Sequence, residues 1–229
     1  MTQHVSSIPA CFTYEWLTKV HYAKRIPPIS YAFGLYDDGE LCGVVTYGVP
    51  SSAPLRSGIA GEHNLNYVIE LNRLVFKKQI KNGASKLVGE SLRKLPKPSI
   101  VVSYADTGYG HIGYVYQACN FLYTGLSAKR TDWKVKGMEH LHPQTIADIS
   151  KSASGHGKGA RANFMKNKYG DDFYLEDRPR KHRYIYICAN KNEKKKILSD
   201  LKYPIEPYPK GDSSRYAIEH NPAYQTLLF

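Results

Sequence analysis

The chain has 229 residues, of which 42% are hydrophobic and 23% are charged, so it is long and apolar enough to bury a core and is not expected to be disordered. No stretch approaches the eighteen apolar residues of a membrane span, and residues 1–10 lack the pattern of a signal peptide. We therefore expect a cytoplasmic protein with no membrane partner. The four cysteines are widely spaced, which predicts reduced thiols.

The net charge is +12, and most of it lies in the second half of the chain. Residues 129–229 carry 20 Lys and Arg against 12 Asp and Glu, whereas residues 1–128 carry 12 against 8. Basic side chains neutralise phosphates and release counterions, and the 19 tyrosines offer flat faces for base stacking. These features favour a nucleic acid as partner, although many enzymes share a basic composition.

Strands and helices are predicted to alternate in the first part of the chain. Asp38-Gly39 is a strong hairpin signal between two apolar runs, and Pro27-Pro28 and Pro96 end predicted helices. In chain order we predict a helix at 12–24, strands at 30–37 and 40–49, a loop at 50–66, a strand at 67–76, a helix at 84–95, a strand at 99–106, a helix at 114–120 and a strand at 121–135. This order predicts an α/β (α+β) fold with a mixed sheet and right-handed crossovers.

The alternation stops after residue 136. Residues 137–182 contain alternating glycines and predict a flexible basic loop that leads into a short helix. Residues 172–189 predict two strands around a basic turn, and residues 192–201 predict a helix.

Polar residues follow the predicted strand 99–106 in the sequence SYADTGYGHIGYVYQACNFLYTG. Asp106 closes the strand, at the edge where open α/β sheets bind ligands, although Asp also suits a helix cap or a turn. Ser103 either orients a substrate group or satisfies the strand edge. His111 lies between glycines in a loop, so it either meets a ligand or is an inert surface histidine.

Two short motifs lie at the predicted strand and helix junctions. QIKNGA at 79–84 follows the pyrophosphate loop of GNAT acyltransferases, with Asn82 in place of the first glycine. Asn tolerates a left-handed backbone, and the N–H groups of the next helix can bind an anion. YQACNF at 116–121 matches the helix end of the same family, with Asn120 for glycine. The chain therefore resembles a GNAT acyltransferase-like fold.

A more specific resemblance is to the Mom family of bacteriophage DNA-modification proteins. It covers roughly residues 15–135. The residues that carry it are His21-Tyr22, ELNRLVF at 70–76, Asn82, Ala84-Ser85, Ser103, Ala105, Asp106, His111, Gly113, Tyr116, Gln117, Ala118, Asn120 and Tyr123-Thr-Gly125. The resemblance implies an enzyme that converts adenine in double-stranded DNA to N6-methylcarbamoyl adenine, which protects phage DNA from host restriction. A phage-encoded protein of this kind would work in the host cytoplasm.

The resemblance also implies two regions and a set of candidate residues. Residues 1–136 would form the GNAT-like catalytic core, and residues 137–229 a basic, Tyr-rich C-terminal extension that completes the sheet and contacts DNA. The catalytic candidates are Asp106, Ser103, His21, Tyr22, Glu70 and Tyr116. The donor-binding candidates are Gln79, Asn82, Gly83, Ala84, Ser85 and Asn120. The candidates for DNA contact are His111, Tyr104, Arg73, Lys158, Arg161, Lys166 and Lys168.

Several of these residues have plain structural alternatives. His21 at a helix end suits the helix dipole, and Tyr116 suits core packing as well as proton donation to a departing thiolate. Strand periodicity puts Glu70 and Arg73 on opposite faces, so both serve one site only if a β-bulge intervenes. With the resemblance, His21, Asp106 and His111 become candidate ligands of a non-haem iron.

The chemistry of the implied product leaves the donor open. Simple transfer from acetyl-CoA would bond N6 to a carbonyl carbon, whereas the implied product bonds N6 to a methylene. One hypothesis is a glycyl thioester or glycyl-tRNA donor, whose free amine attacks adenine C6 after transfer. The other is acetyl transfer or alkyl formation assisted by iron.

Two other functions remain open at this stage. One is a non-catalytic nucleic-acid-binding protein that uses a GNAT-like scaffold as a platform. The other is a GNAT N-acetyltransferase of proteins or small molecules.

Overall fold

The computed structural model describes residues 3–50, 52–153 and 159–211. The chain forms two compact units: residues 1–127 with 181–229, and residues 128–180. The predicted boundary at residues 136 and 137 falls inside the second unit. Lys158 lies outside the described residues, as does part of the predicted glycine-rich loop.

The strands and helices of the described residues alternate as the sequence predicts. The strands are β1 (Gln3–Ser7), β2 (Tyr31–Asp37), β3 (Glu40–Gly48), β4 (Val68–Phe76), β5 (Ser99–Asp106), β6 (Leu122–Leu126), β7 (Arg130–Val135), β8 (Phe173–Arg178) and β9 (Lys181–Cys188). The helices are α1 (Ala53–Ala60), α2 (Gly83–Lys94), α3 (Tyr114–Ala118), α4 (Pro143–Asp148), α5 (Ala160–Tyr169) and α6 (Lys191–Asp200). Short helical turns at Ala10–Thr13 and Trp16–Val20 replace the continuous helix predicted at 12–24.

The first unit contains a seven-stranded sheet in the order β1-β2-β3-β4-β5-β9-β6. Of its neighbouring strands, only β4 and β5 run parallel to each other. The predicted mixed α/β sheet is therefore confirmed. The basic C-terminal extension is not confirmed, although β9, from the predicted region 137–229, does lie inside this sheet.

The hairpin of β2 and β3 turns at Asp38 and Gly39, as predicted. Both residues have positive φ angles, 47° and 84°, which is the geometry that favours Asp-Gly in two-residue hairpin turns. The apolar face predicted for helix 84–95 is also confirmed, because the side chains of Leu87, Val88 and Leu92 are buried in the main core.

Two further parts of the predicted element order are wrong. Residues 50–66 contain α1 and the start of a 3-10 helix at Glu62–Tyr67, because Ser52 caps α1 and Pro54 suits its first turn. The single strand predicted at 121–135 is two strands, β6 and β7. The two strands predicted at 172–189 are present as β8 and β9; they belong to different sheets, since β8 pairs with β7 in a two-stranded sheet of the second unit.

The second unit has a small core of its own. Val135, Ile146 and Met165 are buried together there, with Trp133 and Phe173 packed against them. Helix α4, which the sequence reading missed, supplies Ile146 to this core.

The parallel pairing of β4 and β5 is short. It joins three residue pairs and ends at Glu70 and Val102, so beyond that point the two strands no longer bond as a ladder. The Ser103 hydroxyl still donates to the Leu71 carbonyl, at 3.0 Å. The polar residues of both strands follow this point directly, and this position in the sheet carries the candidate site.

Two further features of the described residues bear on the predictions. No helix in the part of the chain that the structure describes is long and apolar enough to cross a membrane. All four cysteines are free thiols: Cys42 and Cys188 are buried, Cys119 is partly buried and Cys11 is exposed.

Candidate active site

Asp106 has two structural roles at the carboxyl end of β5. One carboxylate oxygen accepts a hydrogen bond from the Gly108 N–H at 3.0 Å, so the residue caps the short turn that follows, as the plain reading allowed. The other oxygen lies 2.8 Å from the Lys181 ammonium. The Asp106 side chain remains 15% exposed. It is therefore not sealed in the interior, and its carboxylate can meet a substrate.

His111 is held just beyond that turn. Its backbone N–H donates to the Asp106 carbonyl at 3.1 Å, and its side chain is 7% exposed. The sequence placed this histidine at the surface or against a ligand, but the structure buries it. Burial lowers the pKa of the imidazole, although the nearby Asp106 carboxylate opposes this shift.

Tyr22 contacts the same turn and follows the helical turn Trp16–Val20 in the chain. Its ring lies 5.0 Å from the Tyr109 ring and 4.4 Å from the His21 ring, measured between centroids. Burial raises the pKa of Tyr22 to about 12, with a further contribution from Asp106 and an opposing one from Arg73. Tyr22 thus stays protonated near neutral pH and lies within electrostatic reach of Asp106.

His21 is fully buried and oriented by its own backbone turn. Its Nδ1 atom accepts a hydrogen bond from the Ala23 N–H at 3.0 Å. This bond fixes the ring against Tyr22 and uses one of its two nitrogens.

A β-bulge on β4 lies between Glu70 and Arg73, which strand periodicity alone would place on opposite faces of the sheet. Asn72 is the extra residue, since Thr46 pairs with Arg73 while Tyr47 pairs with Leu71. Its side chain accepts from the Thr46 hydroxyl at 2.6 Å and donates to the Pro28 carbonyl at 2.9 Å, which holds the bulge in place. The condition set from the sequence, that a bulge must intervene, is met.

Glu70 and Arg73 are both partly buried and influence each other electrostatically. Burial raises the pKa of the Glu70 carboxyl, while Arg73 and Lys181 oppose that rise. Burial also lowers the pKa of the Arg73 guanidinium, with Tyr22 and Glu70 opposing. The raised pKa favours the protonated form of Glu70 relative to that of a solvent-exposed glutamate.

Ser103 and Tyr116 form a buried hydroxyl pair beside these residues. Tyr116 is fully buried, and burial raises the pKa of its phenol well above the ordinary value, with the Ser103 hydrogen bond opposing. Glu70 and Tyr22 also act on this phenol electrostatically. Of the two readings of Tyr116, core packing is confirmed, and proton donation to a departing thiolate stays a prediction.

The turn between β4 and α2 has the geometry that the motif requires. Asn82 adopts a left-handed conformation with φ 58°, and no side chain caps the helix N-terminus. A Cβ atom on Gly83 would lie 2.9 Å from Ile80 Cβ, so glycine is needed there. The first turn of α2 carries no acidic residue, and N–H groups at such a helix start favour an anion.

The remaining donor-binding candidates surround this helix start. The Ser85 hydroxyl donates a hydrogen bond to the Asn82 carbonyl at 3.0 Å. The Ser85 carbonyl accepts a hydrogen bond from the Cys119 thiol at 3.3 Å. Asn120, beside Cys119, has φ 60° and ends α3 as the missing glycine of the motif would. Gln79 is exposed.

Two of the candidate DNA contacts make structural contacts within their own units. Tyr104 packs on the second hydrophobic cluster, with Ile100 and Val102, whereas the neighbouring Ala105 belongs to the main core. Arg161 donates to the Ser150 hydroxyl and the Ala147 carbonyl inside the second unit. Their contact with DNA stays a prediction.

Two candidate DNA contacts of the second unit remain exposed. These are Lys166 and Lys168, both on α5.

The predicted iron site is not formed. Within residues 3–50, 52–153 and 159–211, no group of three or more His, Cys, Asp or Glu side chains is placed to hold a metal ion. Asp106 instead binds Lys181 and a backbone N–H, and His21 Nδ1 binds a backbone N–H. The residues present therefore do not fit the iron that was considered.

Sequence reasoning missed two residues of this site. Lys181 lies 75 positions after Asp106, and its only sequence signal was the basic turn before a predicted strand. Tyr109 was part of the quoted glycine-rich stretch but was not singled out, because an exposed tyrosine in a loop carries no periodic signal.

Comparison with known proteins gives a family match over most of the chain. A family model described as the Mom protein family matches residues 2–210. The methylcarbamoylase Mom of Escherichia phage Mu is 28% identical over 207 residues, which cover 85% of this chain and 80% of that protein.

Similar solved structures are acetyltransferases of low sequence identity. An N-acetyltransferase from Staphylococcus aureus Mu50 is 13% identical, with a TM-score of 0.42 over 82% of this chain and 99% of the other. A GNAT-family acetyltransferase from Bacillus cereus is 10% identical, with a TM-score of 0.39 over 82% and 98%.

Proposed function

The chain belongs to the Mom protein family, and from that membership we propose that it is a phage DNA-modification enzyme that converts adenine in double-stranded DNA to N6-methylcarbamoyl adenine. The single observation that carries the proposal is the Asp106 carboxylate. It is paired with Lys181, partly exposed, and bordered by Tyr22 at the carboxyl end of β5. Chemistry on an exocyclic amine needs such a proton acceptor.

Different side chains of the site carry out the different proton transfers of the proposed reaction. Asp106 accepts a proton from the adenine amino group, and Lys181 keeps the carboxylate in place. Tyr116, whose phenol stays protonated because it is buried, gives a proton to the departing group of the donor. Glu70 is a second proton acceptor on the bulged strand, and Arg73 is its positively charged partner.

An acyl thioester of coenzyme A type fits the turn before α2. The left-handed Asn82, the glycine at 83 and the N-terminus of a twelve-residue helix without a cap suit the pyrophosphate of such a donor. The donor supplies an activated carbonyl carbon. The residues of this chain bind and orient it.

A glycyl donor, as a thioester or glycyl-tRNA, balances the reaction without an oxidant. Transfer of the glycyl group to N6 releases the thiol or the tRNA. The glycyl amine then attacks C6, the original C6–N6 bond breaks, and the original N6 becomes the amide nitrogen. The product is the methylcarbamoyl isomer, with every atom accounted for.

DNA as substrate is supported by the charge of the chain. The net charge is +12, and basic side chains bind DNA by neutralising its phosphates and releasing counterions. An adenine within a duplex must leave the stack before an enzyme can reach N6, so the proposal requires an extruded base beside Asp106.

The test is to express the chain with a plasmid and digest the DNA with adenine-sensitive restriction enzymes, followed by mass spectrometry of the nucleosides. We expect protected DNA and a modified adenosine, with nitrogen from labelled glycine in the modification. Asp106→Asn keeps a capping side chain at 106 and is expected to abolish the product while DNA affinity is retained. Unmodified DNA from the wild-type chain would refute the function, and unlabelled product would refute the glycyl donor.

A further inference from the structure

The turn after β5 presents two aromatic side chains with opposite exposure. Tyr109 is 49% exposed, whereas His111 is 7% exposed. Their ring centroids are 5.9 Å apart and the ring planes are inclined by 23°. Tyr109 also contacts Tyr22, beside the Asp106 carboxylate. An aromatic ring with half of its surface open therefore lies directly next to the proposed reaction site.

This turn is held in place from both sides. Asp106 caps it through Gly108, and Gly110 bonds back to Thr107. On the far side, the Tyr184 hydroxyl donates to the Ile112 carbonyl. Tyr109 is thus presented by a fixed backbone rather than by a long loop.

Position 113, at the end of this turn, has room for glycine only. A Cβ atom on Gly113 would lie 2.4 Å from the Tyr184 ring. The Gln117 amide donates to the same Tyr184 hydroxyl at 3.1 Å and to the Ile112 carbonyl at 3.2 Å. Hydrogen bonds at Gly108 on one side and at Ile112 on the other therefore hold the backbone around His111.

The His111 imidazole is a polar ring in a buried position. Neither of its ring nitrogens has a hydrogen-bond partner among the described residues, and most buried polar groups have one. Burial lowers the pKa of the imidazole, so it is neutral near pH 7 and offers one N–H donor and one acceptor nitrogen. A ligand or an ordered water can supply the missing hydrogen bonds of such a group.

We propose that Tyr109 and His111 hold the extruded purine, with Tyr109 stacked on the face of the base and His111 hydrogen-bonded to its edge. The inference rests on the proposed function and assigns the base-binding part of that site. A purine offers a flat face to the tyrosine and both donor and acceptor atoms to a neutral imidazole. Adenine has an N6 amino donor beside the N1 acceptor.

The stacking role is tested with the full chain and a DNA duplex that holds 2-aminopurine opposite an abasic residue. This base is unpaired and easy to extrude, and its fluorescence reports stacking. Tyr109→Ala is expected to weaken binding roughly tenfold or more, as removal of a base-stacking aromatic does, and to abolish the fluorescence change. Tyr109→Phe is expected to retain both.

Tyr67→Ala is the matched control. Tyr67 is similarly exposed, at 40%, but it precedes the start of β4, whose first residue pairs with Ile100. That point is roughly 20 Å along β5 from Asp106 at the usual strand rise. We expect wild-type binding in this variant. Equal binding by Tyr109→Ala and wild type would overturn the stacking role.

The hydrogen-bonding role is tested by comparing adenine with unsubstituted purine at the same abasic site. The wild-type chain is expected to prefer adenine, and His111→Phe is expected to lose this preference while it still binds both duplexes. Because the imidazole nitrogens have no hydrogen-bond partner among the residues that the structure describes, His111→Phe should also melt no lower than the wild type. A retained preference for adenine, or a large loss of stability, would overturn the role.

These binding readouts separate the inference from the proposed function. If the wild-type chain binds the extruded base through Tyr109 but leaves plasmid adenine unmodified, the reaction is wrong and the base site stands. If it modifies plasmid DNA and Tyr109→Ala does so at the wild-type rate, the base site is wrong and the reaction stands.

Discussion

Lys181 and Asp106 are directly opposite residues of the antiparallel strands β9 and β5, and the Lys181 ammonium lies 2.8 Å from an Asp106 carboxylate oxygen. Solvent screens this ion pair less than it screens a fully exposed pair, because the Asp106 side chain is 15% exposed and the Lys181 side chain 33% exposed. Lys181 also acts on the buried Glu70 carboxyl. One cation therefore serves both candidate proton acceptors.

The first prediction concerns removal of this cation. Lys181→Met leaves the largely buried Asp106 carboxylate without its partner, so we expect modification of plasmid DNA to slow by at least roughly tenfold and the melting temperature to fall, because an unpaired buried charge is costly. The measurement is the rate of nucleoside modification together with a thermal melt. Lys19→Met is the control, since Lys19 pairs with Glu15 at a site where both side chains are more than half exposed and such pairs contribute little. Equal rates for Lys181→Met and wild type would contradict the role given to Lys181.

The second prediction concerns the pH dependence of Glu70. Its pKa is raised by burial, with Arg73 and Lys181 opposing, so the folded chain binds this proton more tightly than the unfolded chain does. The stabilising contribution is complete below the ordinary Glu pKa of about 4.3 and is lost as the pH rises through the raised pKa. Glu70→Gln should therefore melt roughly 2–4 °C above the wild type at pH 8, which is about 1 kcal/mol for a chain of this size. The two should converge near pH 4.

The control for Glu70 is a glutamate whose pKa is shifted in the opposite direction. Glu40 is exposed, and its hydrogen bond with Lys78 lowers the pKa of its carboxyl. Glu40→Gln is therefore expected to show no gain in melting temperature at pH 8. We also expect Glu70→Gln to lose modification activity, so that stability and activity change in opposite directions. A lower melting temperature of Glu70→Gln at pH 8 would show that the Arg73 partnership outweighs the burial of Glu70.

The third prediction concerns the left-handed residue before α2. Asn82→Val places a β-branched residue at φ 58°, which is strained, and should weaken binding of acetyl-CoA and free coenzyme A in calorimetry by roughly tenfold or more. Asn82→Gly restores the motif glycine and relieves the strain, so it should bind at least as tightly as the wild type.

Asp38→Val serves as the control for backbone strain alone. Asp38 also has a positive φ, 47°, but lies in the β2–β3 turn. This variant should lose stability without losing donor affinity. Unchanged coenzyme A binding by Asn82→Val would remove this turn from the donor site.

The fourth prediction compares two buried tyrosine hydroxyls. Tyr116→Phe removes the hydroxyl that borders Ser103 and Glu70 and should slow modification by roughly 10²–10⁴-fold, the usual contribution of a general acid. Tyr47→Phe removes an equally buried hydroxyl that bonds to Ser91 at 2.5 Å. It should lose stability but not rate. Rates are measured by nucleoside mass spectrometry with donor and DNA in excess, and similar rates for both variants would leave Tyr116 with a packing role only.

Local patterns predicted much of the sheet. The Asp38-Gly39 turn, the buried run of β5 and the apolar face of α2 are each written in consecutive residues, so periodicity and turn chemistry suffice to find them. Helix α1 was missed for a local reason too. Its Ser and Pro residues were read as loop signals, although Ser52 is a cap and Pro54 occupies the first turn.

Sequence alone determined the chemical character of the site: an acidic residue at the end of a buried strand, a tyrosine on the next helix and an Asn-Gly turn before α2. Only the tertiary structure decided which groups meet. The partner of Asp106 comes from β9, which inserts between β5 and β6, and the bulge at Asn72 turns Glu70 and Arg73 into neighbours. Strand order and bulges depend on contacts between residues far apart in the chain, and no local pattern encodes them.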